Sequence, residues 1–262
     1  MDILKRELAP LSREAWQEID ERAKEVLKSR LTARRVVKVV GPKGWEFNAV
    51  DEGRLENIQE GEICTGTYKV KPLVEARINF TLDRWELDNI TRGAKDVDYT
   101  GLERAAKKLA DFEEDVVYNG YSQGNIQGLS QSSAHESIPF GDDEEAIMNA
   151  IIQGMDLLKE NYDEGPYVLV VGKEAWRRLH VGGEGYPLMK RLKSLLDGRI
   201  VQNNTIQGAF LIPYDNENLE LTIGQDFSIG YQSHNDDEVR LFITESFTFR
   251  VLDENLIVQY TV

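Results

Sequence analysis

The segment from Val74 to Asp83, VEARINFTLD, restricts what this chain can become more than any other stretch of it. Val74, Ala76, Ile78, Phe80 and Leu82 alternate with Glu75, Arg77, Asn79, Thr81 and Asp83. A period of two puts each set on its own face of an extended strand, one for a core and one for water. The first helix reads differently. Pro10 and Ser12 mark its start, Leu11 and Trp16 are spaced for a hydrophobic staple, and Trp16, Ile19, Ala23, Val26, Leu27 and Leu31 recur at helical intervals. A second helix is expected over 102–118, with Leu102, Ala105, Leu109, Phe112 and Val116 on one stripe and Asn119-Gly120 as its stop. Half-buried strands and amphipathic helices in irregular order give an α+β fold.

The rest of the chain reads as connections and shorter elements. Residues 35–40 suit a short strand, and Gly41-Pro42-Lys43-Gly44 a turn. That turn is no phosphate loop, because Trp45 and Glu46 stand where a Walker motif needs other residues. Residues 48 to about 66 are polar, acidic and Gly-containing, as in a projecting loop or hairpin. Residues 122–141 form a Gly, Ser and Gln connection, and Asp142 with Glu145 makes a capping box ahead of Ile147, Ile151, Met155 and Leu158. Residues 167–171 are a fully apolar strand, 173–179 and 188–196 short helices, and 209–212, 219–223, 240–251 and 256–262 strands.

Composition removes several classes of function. Net charge is −15, so the average surface field repels nucleic acid. The charge is uneven: the first 46 residues are net basic and the last 60 or so strongly acidic. One cysteine, Cys64, excludes an internal disulfide framework and suits a reducing cytoplasm. No window approaches the roughly 20 apolar residues that cross a bilayer, and the N-terminus lacks a signal-peptide pattern.

Catalytic and metal-binding patterns are missing as well. His135, His180 and His234 are isolated from one another, so no metal site is expected, and there is no GxSxG elbow. The acidic runs Glu113-Glu114-Asp115 and Asp142-Asp143-Glu144-Glu145 read as solvated helix faces, since such residues are rarely buried. Trp85 has two readings: a packing residue at the end of the alternating strand, or an exposed indole for a flat aromatic ligand, with Arg77 and Tyr186 as partners.

Several segments in order then resemble a known family: LKRELAPLSREAWQEIDERA, GPKGWEF, FTLDRWELDN, DFEEDVVYNG, EGPYVLVV, GYPLMKR, GQDFSIGY and VRLFITESFTFRV. Together they resemble the encapsulin shell proteins, once described as linocin-type bacteriocins, along nearly the whole chain. The resemblance implies the tailed-phage major-capsid fold. Its parts would be an N-terminal helix and start of a peripheral domain at 1–47, an extended loop at 48–70, and peripheral domain with the long helix at 71–132. An axial domain would follow at 133–222, and peripheral C-terminal strands at 223–262.

The function so implied is a self-assembling, icosahedral homo-oligomeric nanocompartment in the bacterial cytoplasm, with no catalytic residues of its own. It would enclose a cargo such as a ferritin-like protein or dye-decolourising peroxidase, for iron storage or oxidative-stress chemistry. Neither nucleic acid nor membrane is an expected partner. By the same resemblance a C-terminal peptide of the cargo docks on Leu27, Leu31, Arg34, Phe227, Ile229 and Tyr231. By residue type the four apolar ones also suit a core, and Arg34 suits the surface. Val181, Gly182, Gly183, Glu184, Gly185 and Tyr186 would line a fivefold pore, where Glu184 makes a carboxylate ring that favours cations. No cofactor is required, although some members hold a flavin (FMN) at positions matching Arg77, Trp85 and Tyr186. The competing readings are a peptidase or bacteriocin-like lytic protein, and a prophage capsid subunit.

Overall fold

The computed structural model describes residues 3–180 and 187–262. Helix α1 (Arg13–Arg30) starts where the Ser12 hydroxyl accepts from the Ala15 amide, a cap worth about 1 kcal/mol, and it buries Ala15, Ile19, Ala23 and Leu27. A 3-10 turn over Ala33–Arg35 precedes β1 (Lys38–Val40), so the strand expected from residue 35 begins three residues later. β2 (Ala49–Gln59) and β3 (Thr65–Pro72) pair antiparallel as an arm whose side chains are nearly all exposed. β4 (Val74–Asp83) alternates as the sequence suggests. It does not continue to Trp85, because the Asp83 carboxylate accepts from the Glu86 amide and starts α2 (Arg84–Thr91) there.

α3 (Thr100–Asn119) is buried on most of its circumference and closes on Gly120. The connection that follows is not loose: α4 (Leu129–Ser132) and β5 (Ile138–Pro139) lie within it, with Leu129 and Ile138 buried. α5 (Glu144–Glu160) is capped by Asp143, one residue after the expected capping box. β6 (Tyr167–Val171), α6 (Lys173–His180), α7 (Leu188–Leu196), β7 (Arg199–Gln202), β8 (Ala209–Pro213), β9 (Leu219–Ile223), β10 (Ser228–His234), β11 (Glu238–Val251) and β12 (Val258–Thr261) complete the chain.

Two sheets organise these elements. In one, β11 is the centre: β4 runs antiparallel along one edge, while β9 and then β10 run antiparallel along the other, with β1 parallel on the far side of β9. α1 and α3 cover its apolar face, and Leu241 and Ile243 meet Ile19, Leu102 and Leu109 there. The other sheet has the order β5-β12-β8-β6-β7 and packs on α5, α6 and α7 through Ile151, Leu158, Leu169, Leu192 and Leu211.

The two sheets cross the expected domain limit at residue 222: β9, which ends at Ile223, belongs to the β11 sheet, and β12, which follows, belongs to the other. The reason is burial: Val258 and Tyr260 join the apolar cluster around α5, which β11 cannot reach. Gly208 permits the close pass of β8 against β12. Its φ is +75°, and a Cβ there would strike the Tyr260 carbonyl.

Candidate functional site

The site originates in a strand defect. Ile223 opposes Phe247 and Ser228 opposes Thr244, so four residues of the β9–β10 line, 224 to 227, face only Glu245 and Ser246 on β11. Two residues too many must leave the ladder, and a bulge of this kind re-aims side chains. Gly224 makes the departure tolerable, since a Cβ there would press on Leu73 and the Ser246 hydroxyl. Asp226 and Phe227 are thereby turned toward the end of α1.

Arg34 meets them. Its guanidinium donates to Asp226 Oδ1 at 2.7 Å and to Glu113 Oε2 at 2.5 Å, reaches Glu245 Oε2 at 3.3 Å, and sits 4.7 Å from the centroid of the Phe227 ring. Glu113 and Glu245 are each 0% exposed, and the Arg34 side chain only 17%. Arg34 is therefore not the exposed contact that its charge suggests; it is the counter-charge of buried Glu113, a donor to Glu245 and the prop under Phe227. Burial, and then the neighbouring Glu113 charge, hold the Glu245 carboxyl well above the usual carboxylate range.

Beside this cluster lies a cavity of about 620 Å³ between α1 and β10. Its floor is Ala23, Leu27, Leu31, Phe227, Ile229 and Ile243, and its edges are Leu4, Arg6, Asp20, Lys24, Lys28, Arg34, Arg35 and Asp226. Five of the six expected docking residues line this one cavity. Tyr231 does not: its amide donates to the Leu4 carbonyl at 2.8 Å and its hydroxyl meets His234 Nδ1 at 2.5 Å. The sequence reading missed Asp226, Glu113 and Glu245, as well as the basic edge Lys24 and Lys28. The Gly224-Gln225 pair inside a strand-like run was the available signal for the bulge.

A second buried group is the next residue of α3. Glu114, 1% exposed, accepts from the Thr32 and Ala33 amides at 2.7 and 2.8 Å, from Asn203 Nδ2 at 2.6 Å and from the Thr32 hydroxyl. It joins the exit of α1 to the segment after β7. Burial raises its pKa to about 7 against the lowering effect of the Thr32 and Ala33 donors, with Glu113 raising it further. Of the acidic run read as a solvated face, only Asp115 is exposed. Among the described residues no three His, Cys, Asp or Glu side chains gather as a metal site, and no helix is long and apolar enough to cross a membrane.

Residues 1–248 match the protein family described as "Encapsulating protein for peroxidase", the linocin M18 family. The type 1 encapsulin shell protein of Rhodospirillum rubrum is 35% identical over 262 residues, spanning 96% of this chain and 94% of that one. That of Mycobacterium tuberculosis is 35% identical over 252 residues, spanning 95% of each. This chain belongs to the encapsulin shell protein family. The fold agrees: a virus-like particle from Pyrococcus furiosus superposes with a TM-score of 0.66 at 17% identity, over 93% of this chain and 98% of that one. The capsid of Myoviridae phage XM1 superposes at 0.59 with 12% identity, over 88% and 91%. The capsid-type α+β fold expected from the sequence is thus the one observed.

The remaining expected encapsulin sites are placed as follows. The pore loop, Val181 to Tyr186, lies outside the described residues. Trp85 stands on the first turn of α2, 65% exposed, with Arg92 5.4 Å from its ring. Arg77 lies back along β4, its guanidinium 4.3 Å from the Phe242 ring and 3.0 Å from Glu75. Six strand residues separate it from α2, about 20 Å of extended chain.

Proposed function

We propose that many copies of this chain close into an icosahedral shell in the bacterial cytoplasm and hold a guest enzyme inside by docking the guest's C-terminal peptide between α1 and β10. The observation that carries the docking is the groove itself. On a capsid-type subunit, a cavity of about 620 Å³ has an apolar floor of Leu27, Leu31, Phe227 and Ile229 and a charged edge. Such a lining suits a short apolar segment oriented by a few polar contacts. Closure needs heterologous contacts between copies, and the exposed β2–β3 arm, carrying Leu55, Ile58, Ile63, Tyr68 and Val70, offers apolar area for them beyond the body of the subunit.

In this reading the chain contributes enclosure, and the chemistry belongs to the guest, a peroxidase or ferritin-like protein that handles iron or peroxide. Flavin enters as an accessory ligand, on the exposed indole of Trp85. Visible spectra of purified particles before and after Trp85→Ala test that part. For the main proposal, the protein is expressed in its own host. Negative-stain microscopy should show closed particles, and mass spectrometry should find a copurifying enzyme. Phe227→Asp should assemble normally and lose the guest. A stable monomer or dimer defeats the shell, and undiminished loading in the variant defeats the docking groove.

A further inference from the structure

The helical layer over the β5-β12-β8-β6-β7 sheet is electrically divided. α5 packs on β5, β12 and β8, whereas α6 packs on β6 and α7 on the edge strand β7. Residues 142–164, which include α5, carry eight Asp and Glu against one Lys, and residues 187–199, which include α7 and open β7, carry four Lys and Arg against one Asp. Where the two halves meet, charges of opposite sign are already joined: Arg178 pairs with Asp142 at 2.7 Å and Arg191 with Glu144 at 3.2 Å. Farther out they are not. Glu145, Asn149, Ile152, Asp156 and Glu160 follow helical spacing on the exposed side of α5, and none of these three carboxylates has a cationic partner among the described residues. At the other end Lys193 and Arg199 are exposed and equally without a carboxylate partner among the described residues, Arg199 lying 4.9 Å from the Tyr214 ring. Each face also has apolar area: Ile152 is 40% exposed, and Met189, Leu195 and Ile200 are half-buried on α7 and β7.

Resting on the shell reading above, we infer that the exposed stripe of α5 in one copy docks on the α7–β7 edge of the next copy. An acidic stripe with an apolar centre and a basic edge with apolar neighbours complement each other, and one chain carries both over opposite halves of one sheet. The two faces differ, so the contact is head-to-tail: it closes a ring about a rotation axis, and the same pairing recurs at every step of that ring. A contact of either face with its own copy is disfavoured, because it sets acid against acid or base against base. One exposed ion pair is weak, but two of them acting together change the strength of such a contact by about tenfold. Reversing the sign of one face replaces attraction by repulsion in every copy, and reversing both restores attraction with the roles exchanged.

The test is a charge exchange in the full chain, read as the critical concentration for particle formation by mass photometry over a dilution series, with circular dichroism to confirm folding. Glu145→Lys with Asp156→Lys reverses the acidic face, and Lys193→Glu with Arg199→Glu reverses the basic one. Each pair alone should raise the critical concentration by about tenfold or more, and one chain carrying all four changes should return to within about threefold of wild type. Lys193→Gln with Arg199→Gln, a milder change, should fall between wild type and reversal. Single-face reversals that assemble like wild type, or a four-fold variant that folds yet stays dispersed, overturn the inference and leave the shell standing. Should a reversal unfold the subunit, the Gln variant decides, and an unchanged critical concentration there overturns the inference. Wild-type protein that stays a monomer or dimer at every concentration overturns the shell reading and the inference alike.

Discussion

Replacing Glu114 by Gln isolates the effect of one buried carboxylate on stability. With its pKa raised from 4.5 to about 7 in the folded chain, Glu114 binds its proton more tightly in the native state than in the unfolded state. The native protein then gains stability as pH falls, fully so below the unfolded pKa, and loses it as pH rises through the window from about 4.5 to about 7. At 1.36 kcal/mol per unit the whole shift amounts to about 3 kcal/mol, of which about 2 to 3 kcal/mol falls between pH 5 and pH 8. For a chain of this size that is roughly 5 to 10 °C in melting temperature. Glu114→Gln cannot titrate, and it turns an NH2 toward Asn203 Nδ2, whose amide is held in place because Asn203 Oδ1 accepts from the Thr205 and Ile206 amides. The variant should melt below wild type at pH 5, and the gap should close by about 2 to 3 kcal/mol by pH 8. Melting followed by tryptophan fluorescence at four pH values measures it. Parallel pH curves for the two proteins would refute the assignment of a raised pKa to Glu114.

Two further outcomes follow from the same packing. Arg34→Ala should cost about 3 kcal/mol, because it leaves buried Glu113 without its cation; adding Glu113→Gln should return part of that loss, and thermal melts of single and double variants decide it. Tyr260→Phe should be neutral or stabilising by up to about 1 kcal/mol, since the buried Tyr260 hydroxyl has no hydrogen-bond partner among the described residues, whereas Gly154→Ala should destabilise by driving a methyl into that hydroxyl. Denaturant titration of the two variants side by side gives the contrast.

What was legible in the sequence was everything that repeats locally. The two-residue period of β4, the cap and stripe of α1, the stripe of α3 and the apolar run of β6 each bind a residue's fate to neighbours within a turn or two, and each appears in the structure. Where the reading failed, it failed on charge. Residue type alone assigns Glu113 and Glu114 to water, although Ala106, Ala110, Glu113 and Val117 recur at helical intervals and are all buried. Residue type likewise points Arg34 to the surface, yet its side chain is only 17% exposed. Their partners lie 79 to 211 positions away in the chain, at Glu113, Asp226 and Glu245, so no local period encodes the cluster.

The bulge that presents Asp226 is equally non-local, since it exists only as a mismatch between the β9–β10 line and β11. Both failures fall at one place, the wall of the groove. That coincidence has a physical cause. A docking groove must keep apolar side chains off their own core, which ordinary close packing does not do. Here the two extra residues at 224–227 lift Phe227 out of the ladder, and Arg34, pinned by the buried Glu113 and Glu245, holds it there. Buried charge is costly unless paired, so its presence beneath the groove marks a position fixed for a purpose that local stability alone does not explain.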